Sequence, residues 1–191
     1  MGCCESLPTV ASLTKFRRRT TSLTHADITQ LQIIFAGIPE HSRQVILNLP
    51  ARQLLNLYQY HMMALYHGLQ KEWQLAIYCE QRVIKGLQAL LPTDKDHYIF
   101  FNFYSVLSAS FLALGALQKA IEVLHIALAI LLKHTPTDYK TISVHYYHLA
   151  NAYKALHNSR ASAQYLTKAV EAARLRSDSS RTYAAVLETD L

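Results

Sequence analysis

The chain has 191 residues, 51% of them apolar and 17% charged, with only 5 glycines and 5 prolines. That is ample material for one buried core, and too little punctuation for a sandwich or barrel that must turn roughly every ten residues, so helices are expected. The formal net charge is +6, but residues 1–24 supply +3 of it, through Lys15, Arg17, Arg18 and Arg19 against Glu5, and no basic stripe or binding motif follows, which argues against a nucleic-acid partner.

Three cysteines, two of them adjacent, give neither a disulfide framework nor zinc-ligand spacing and fit a reducing compartment. The first residues are not a basic region leading into a long apolar run, so no secretory signal is expected, and no segment reaches the roughly 18 uncharged apolar residues of a membrane span. Met1-Gly2-Cys3-Cys4-Glu5-Ser6 does fit the N-myristoylation pattern, in which Gly2 is the acylated amine; Leu7 is a mild departure from the preferred basic or small residue. One myristoyl chain holds a protein to a bilayer only marginally. Cys3 and Cys4 could add palmitates, and Lys15, Arg17, Arg18 and Arg19 about 1 kcal/mol each near an anionic leaflet. Residues 1–24 are therefore expected to be a flexible, lipidated basic tail on the cytoplasmic face of a membrane, most naturally the plasma membrane. Arg18-Arg19-Thr20-Thr21-Ser22 resembles basophilic kinase sites at Thr21 and Ser22, where phosphate would offset the arginines.

Residues 25–176 read as one helical domain. Thr24-His25-Ala26-Asp27 is a capping box for a helix over 25–36, closed by Gly37-Ile38-Pro39, and 41–49 predicts a short helix. Beyond it the sequence repeats. Tyr60, Tyr104 and Tyr146 are each followed three residues on by Met63, Leu107 and Leu149, then by small Ala64, Ser108 and Ala150, then by the rings of His67, Phe111 and Tyr153. Small residues recur at Ala76, Ala120 and Ser162, and apolar ones at Leu124 and Leu166, where the first repeat has Glu80. Small residues at a crossing let two antiparallel helices approach while aromatics fill the flanks. Leu91-Pro92-Thr93-Asp94 and Thr135-Pro136-Thr137-Asp138 supply matching helix stops and caps. The spacing predicts helices over 51–69, 72–91, 96–114, 117–133, 138–156 and 159–176, with the elements before residue 50 capping the first hairpin.

This pattern, aromatic-x-x-Leu-small-x-x-aromatic followed by Ala, then Leu and Ala, resembles the tetratricopeptide repeat over roughly residues 51–176, most clearly at Tyr104–Ala127. The period, longer than the usual 34 or so, resembles the long-repeat subclass of kinesin light chains and related adaptors. The resemblance implies an all-α array of about three antiparallel hairpins whose first helices line a concave groove, with His61, Leu65, Ser105, Ala109, Tyr147 and Asn151 facing a ligand. Repeats that grip chaperone C-termini carry a Lys and Asn clamp there, and only Asn151 matches. The nearly uncharged set suits an apolar or aromatic peptide segment of a protein partner, or one of the chain's own tails.

No catalytic signature is expected. His145 and His148 stand three apart on one helix without a carboxylate or thiolate at ligand spacing, Cys79 lies in an apolar helix without a basic neighbour, and neither a phosphate loop nor an acid pair is present. No metal or cofactor is called for. Residues 177–191 read as a tail or short helix ending Thr189-Asp190-Leu191, which resembles a PDZ-domain ligand through Thr189 and Leu191. The combined expectation is a non-enzymatic adaptor tethered to a membrane; the alternative is a soluble regulatory or cargo adaptor whose first residues are incidental.

Overall fold

The computed structural model describes residues 37–176, together with Thr24 and Thr29. Seven helices follow one another: α1 (Glu40–Ile46), α2 (Ala51–Leu69), α3 (Trp73–Leu90), α4 (Ile99–Ala113), α5 (Leu117–His134), α6 (Tyr139–Ala155) and α7 (Ser159–Leu175), with no strand among the described residues. The protein is all-α there. Most of the helix expected at 25–36 lies outside the described residues, although Thr29 within it is helical.

Each helix from α2 onward packs on the next in sequence, so that α2–α3, α4–α5 and α6–α7 are antiparallel pairs joined through α3–α4 and α5–α6, and α2 also meets α4. The small residues of the repeating pattern are packed inside: Ala64, Ala76, Ser108, Ala120 and Ala150 are buried, and Ser162 is half-buried. Gly86 marks another close approach, because a Cβ there would stand 2.4 Å from Leu57 Cδ2. One apolar core runs from Ile38 and Ile46 through Phe100, Leu124 and Leu131 to Ala172. A second, smaller one joins Ala150 to Leu166, Ala169, Val170 and Ala173.

The three pairs turn in the same way. Lys71, Gly115 and His157 all adopt left-handed backbone, with φ of 61°, 78° and 58°. At each turn the N–H of that residue donates to a carbonyl three residues back (Gly68, Leu112 and Lys154), and the next N–H donates across the turn to His67, Phe111 and Tyr153. This is the Schellman arrangement that closes a helix by satisfying its last carbonyls. Only the middle turn uses the residue that adopts left-handed backbone without a steric cost.

The two connections between pairs differ. Asp138 caps α6 by accepting from Thr141 N–H at 3.2 Å. Its sequence counterpart Asp94 caps nothing, and α4 begins at Ile99 rather than at 96. The cause is an insertion, since two more residues separate Asp94 from Tyr104 than Asp138 from Tyr146. His97 takes over part of the cap, with Nδ1 accepting from Ile99 N–H at 3.1 Å.

Helix α1 (Glu40–Ile46) overlaps the short helix expected at 41–49, and its polar contacts run to the ends of α4 and α5. His97 Nε2–H donates to the Ser42 carbonyl at 2.9 Å, and His134, which donates from Nε2 to the Asp96 carbonyl, offers Nδ1 to Ser42 and His41. Arg43 is buried, donating from Nε to the Ile38 carbonyl at 2.7 Å. α1 is thus a strut against the ends of α4 and α5, while Met62, Met63, Tyr66, Leu69, Leu75 and Tyr78 of the first hairpin stay exposed, Leu69 by 82%.

Candidate functional site

The six residues expected to face a ligand all fall on α2, α4 and α6, the first helix of each pair. The residue after the leading tyrosine in one hairpin meets the residue before it in the next. His61 stands edge-on to Phe103, with ring centroids 4.9 Å apart and planes at 86°. Ser105 Oγ lies 3.0 Å from His145 Nε2. These cross-hairpin contacts occupy two of the six.

His61 is not available as a free ligand group, because its Nδ1 stands 2.5 Å from Glu80 Oε1. Glu80 occupies the position filled by Leu124 and Leu166 in the other repeats, and like them it is buried, with 0% exposure. The apparent flaw in the first repeat is thus half of a pair: a carboxyl at an apolar position of α3 and the imidazole that reaches it from α2. Burial pushes the Glu80 carboxyl above the ordinary range, and the bond and charge of His61 offset this only in part. Glu80 Oε2 has no hydrogen-bond partner. The neighbouring Cys79 thiol is raised by its own burial and by the Glu80 charge, which favours the protonated form.

At the next hairpin, His145 Nδ1–H donates to the Thr141 carbonyl at 2.9 Å, so Nε2 is left as the acceptor for Ser105. The same Ser105 hydroxyl lies 2.9 Å from the Phe101 carbonyl, and its one proton is divided between the two. Burial holds both His145 and His148 below the usual histidine value, in the neutral form. Among the described residues no group of three or more His, Cys, Asp or Glu side chains could hold a metal ion.

The other four expected residues are placed more openly. Leu65 and Ala109 are exposed, Tyr147 is half-buried with its ring 6.4 Å from that of His148, and Asn151 is exposed. Asn151 borders a cleft of about 270 Å³ shared with Ala150, Lys154, Ser159, Ser162, Ala163 and Leu166. At the opposite end, His61 borders a cavity of about 190 Å³ with Tyr58, Asn102, Phe103 and the backbone of Gly37 and Ile38. Reading by repeats missed Tyr58 and Asn102, which belong to the same faces of α2 and α4 one turn earlier. It also missed Gly37 and Ile38, which no periodicity could have placed there.

Gly2, Cys3, Cys4, Lys15, Arg17, Arg18, Arg19, Thr21, Ser22, Thr189 and Leu191 lie outside the described residues. No helix among the described residues is long and apolar enough to cross a membrane. Comparison with family models, with curated proteins and with solved structures returned no match.

Proposed function

We propose that this protein is a non-enzymatic adaptor, in which a tetratricopeptide-like array of three hairpins holds a peptide of a protein partner along α2, α4 and α6 while an acylated N-terminus tethers it to a membrane. The observation that carries the array reading is the threefold turn, in which the same pair of backbone bonds closes α2, α4 and α6, each of which buries a small residue. Stacked hairpins of this kind present one continuous face built from the first helix of each. The groups left open on that face, Leu65, Ala109 and Asn151, carry no charge, which suits an apolar segment bearing few ions.

The binding reading is tested by panning the full-length protein against a library of uncharged peptides. An enriched peptide should lose at least about tenfold in affinity on Ala109→Arg, about 1.4 kcal/mol, and be indifferent to Glu122→Arg on α5. Equal affinity for both variants would place binding elsewhere. For the tether, Gly2→Ala should move the protein from the membrane to the soluble fraction; an unchanged distribution favours the soluble adaptor. The Thr189-Asp190-Leu191 ending is read as a PDZ ligand, which removal of Leu191 would abolish.

A further inference from the structure

We propose that the protein pairs with a second copy of itself through the open end of the first hairpin, about a two-fold axis that brings Met63 and Tyr66 of α2 and Leu75 and Tyr78 of α3 against the same patch of the other copy.

The repeat register shows what α2 lacks. Phe103 of α4 and His145 of α6 face the preceding hairpin, where they meet His61 and Ser105. Four and seven residues further along the same helix face stand Leu107 and Ser110 in α4, and Leu149 and Ala152 in α6, all buried. The corresponding residues of α2 are Gln59, Met63 and Tyr66, and all three are exposed, Tyr66 by 58%. A terminal hairpin stays soluble alone by presenting a polar outer face. α2 does so at Gln59 but not at Met63 and Tyr66.

Helix α3 enlarges the apolar area. Leu75 and Tyr78 are exposed where the other repeats carry Lys119 and Ala161, and Glu122 and Gln164. They lie on the Met63 side of the hairpin, since Arg82, one turn beyond Tyr78, sits over the ring of Tyr60, one turn before Met63. With Met62 and Leu69 of α2, these side chains, each about half exposed or more, present on the order of 600 Å². That is the upper end of the largest patch on an ordinary monomer, and near the roughly 800 Å² each partner gives to a standard interface. No Lys, Arg, Asp or Glu lies between Arg52 and Lys71, so α2 brings no like charges together.

The far end of the array favours a partner of the same kind over head-to-tail stacking. α7 exposes Ser159 and Ala163 where α3 and α5 have Trp73 and Leu117, and Ile77 and Ile121. Stacked head to tail, Met63 and Tyr66 would meet small and polar groups. Two first hairpins match each other instead, and a two-fold contact of identical patches closes at two chains. The pairing face is centred on Met63, about 200° around α2 from Leu65, so it differs from the proposed peptide face.

Sedimentation velocity on the unacylated full-length chain tests this. The mass should approach two chains with a Kd of about 10 µM or tighter and grow no further. Tyr66→Glu and Leu75→Glu should each raise that Kd at least about tenfold, because each buries two new charges in the contact. Both positions are exposed, so helical circular dichroism should not change. Ile126→Glu, a like substitution at an exposed apolar position of α5, should leave the Kd as it was. A chain still monomeric at about 100 µM, where such a dimer is mostly assembled, overturns the proposal. So does a dimer that forms equally well in Tyr66→Glu and Leu75→Glu, or a mass that climbs past two chains, the mark of head-to-tail stacking. A monomer whose adsorption to phosphatidylcholine vesicles is lost in the same two variants would give the face to a bilayer instead.

Discussion

His61→Ala should cost this fold more than any loss of packing would suggest, because it strands Glu80. Among the described residues the imidazole supplies the only hydrogen bond to a carboxyl with 0% exposure whose second oxygen lacks a partner. A hydrogen bond to a charged group contributes about 1.5–3 kcal/mol, and breaking a buried pair from one side costs about 3–5 kcal/mol when the survivor stays charged. Glu80 can escape part of that by taking a proton, so a loss of about 2–4 kcal/mol at pH 7 is expected. Glu80→Met, which restores the apolar residue that Leu124 and Leu166 supply in the other repeats, should be neutral or stabilising by up to about 2 kcal/mol. In the Glu80→Met background, His61→Ala should then cost under about 1 kcal/mol, a coupling near 2 kcal/mol. Urea unfolding followed by helical circular dichroism measures all four chains. The sign of the pH dependence is a separate check. A carboxyl raised in the folded state binds more protons there than when unfolded, so stability is retained below its unfolded value near 4.5 and declines as pH rises through the folded one. Relative to Glu80→Gln, the natural protein should gain on acidification through that window, by at most about 1.4 kcal/mol per pH unit. His61→Ala within about 0.5 kcal/mol of the natural chain, the size of an ordinary surface substitution, would refute the pair as a structural unit.

The turns give a second prediction: Lys71→Gly and His157→Gly should each stabilise by about 0.5–1 kcal/mol by removing the left-handed penalty, and Gly115→Ala should destabilise by about 1 kcal/mol, read as shifts of a few degrees in Tm. The histidines give a third. His97, His125, His145 and His148 are all depressed, chiefly by burial, so the unfolded chain binds more protons below its value near 6.5 and stability should fall as pH drops through 6.5 toward the folded values. His145→Gln, keeping an acceptor for Ser105, should flatten that fall in a pH series of urea midpoints; an unaltered slope would show that His145 does not contribute to it. For the tail, Thr21→Asp with Ser22→Asp should weaken vesicle binding of the acylated protein to anionic but not neutral lipid, and equal partitioning would remove the phosphate switch.

What could be read in advance was whatever the chain settles locally. Helices α2, α3, α5, α6 and α7 follow from small-residue spacing and stops that act within a few residues, joined at α6 and α7 by the caps Asp138 and Asn158, and their bounds fall within one residue of expectation. α4 starts later because two more residues lie between Asp94 and Tyr104 than between Asp138 and Tyr146, and they lengthen the loop instead of the helix, although the loops recur 44 residues apart and the tyrosines 42. The partnership of His61 with Glu80 was illegible for a different reason. Nineteen residues and a turn separate them, so each seemed to belong to a separate account, one as a ligand-facing residue and the other as a defect. Likewise nothing in 38–46 announces that Ser42 and Arg43 would be buried, since their partners, His97, His134 and the Ile38 carbonyl, are set by how the helix docks.

The pairing of polar groups also narrows what the α2–α4–α6 face can recognise. His61 is committed to Glu80, Ser105 to His145 and the Phe101 carbonyl, and His145 to the Thr141 carbonyl. A ligand that hydrogen-bonded to any of these would first have to break a bond already made, and for the buried members it would leave a partner unsatisfied at about 1–3 kcal/mol. Such a face rewards apolar area and penalises charge. On the proposed reading, an incoming peptide would therefore gain affinity chiefly through the surface it covers at Leu65 and Ala109.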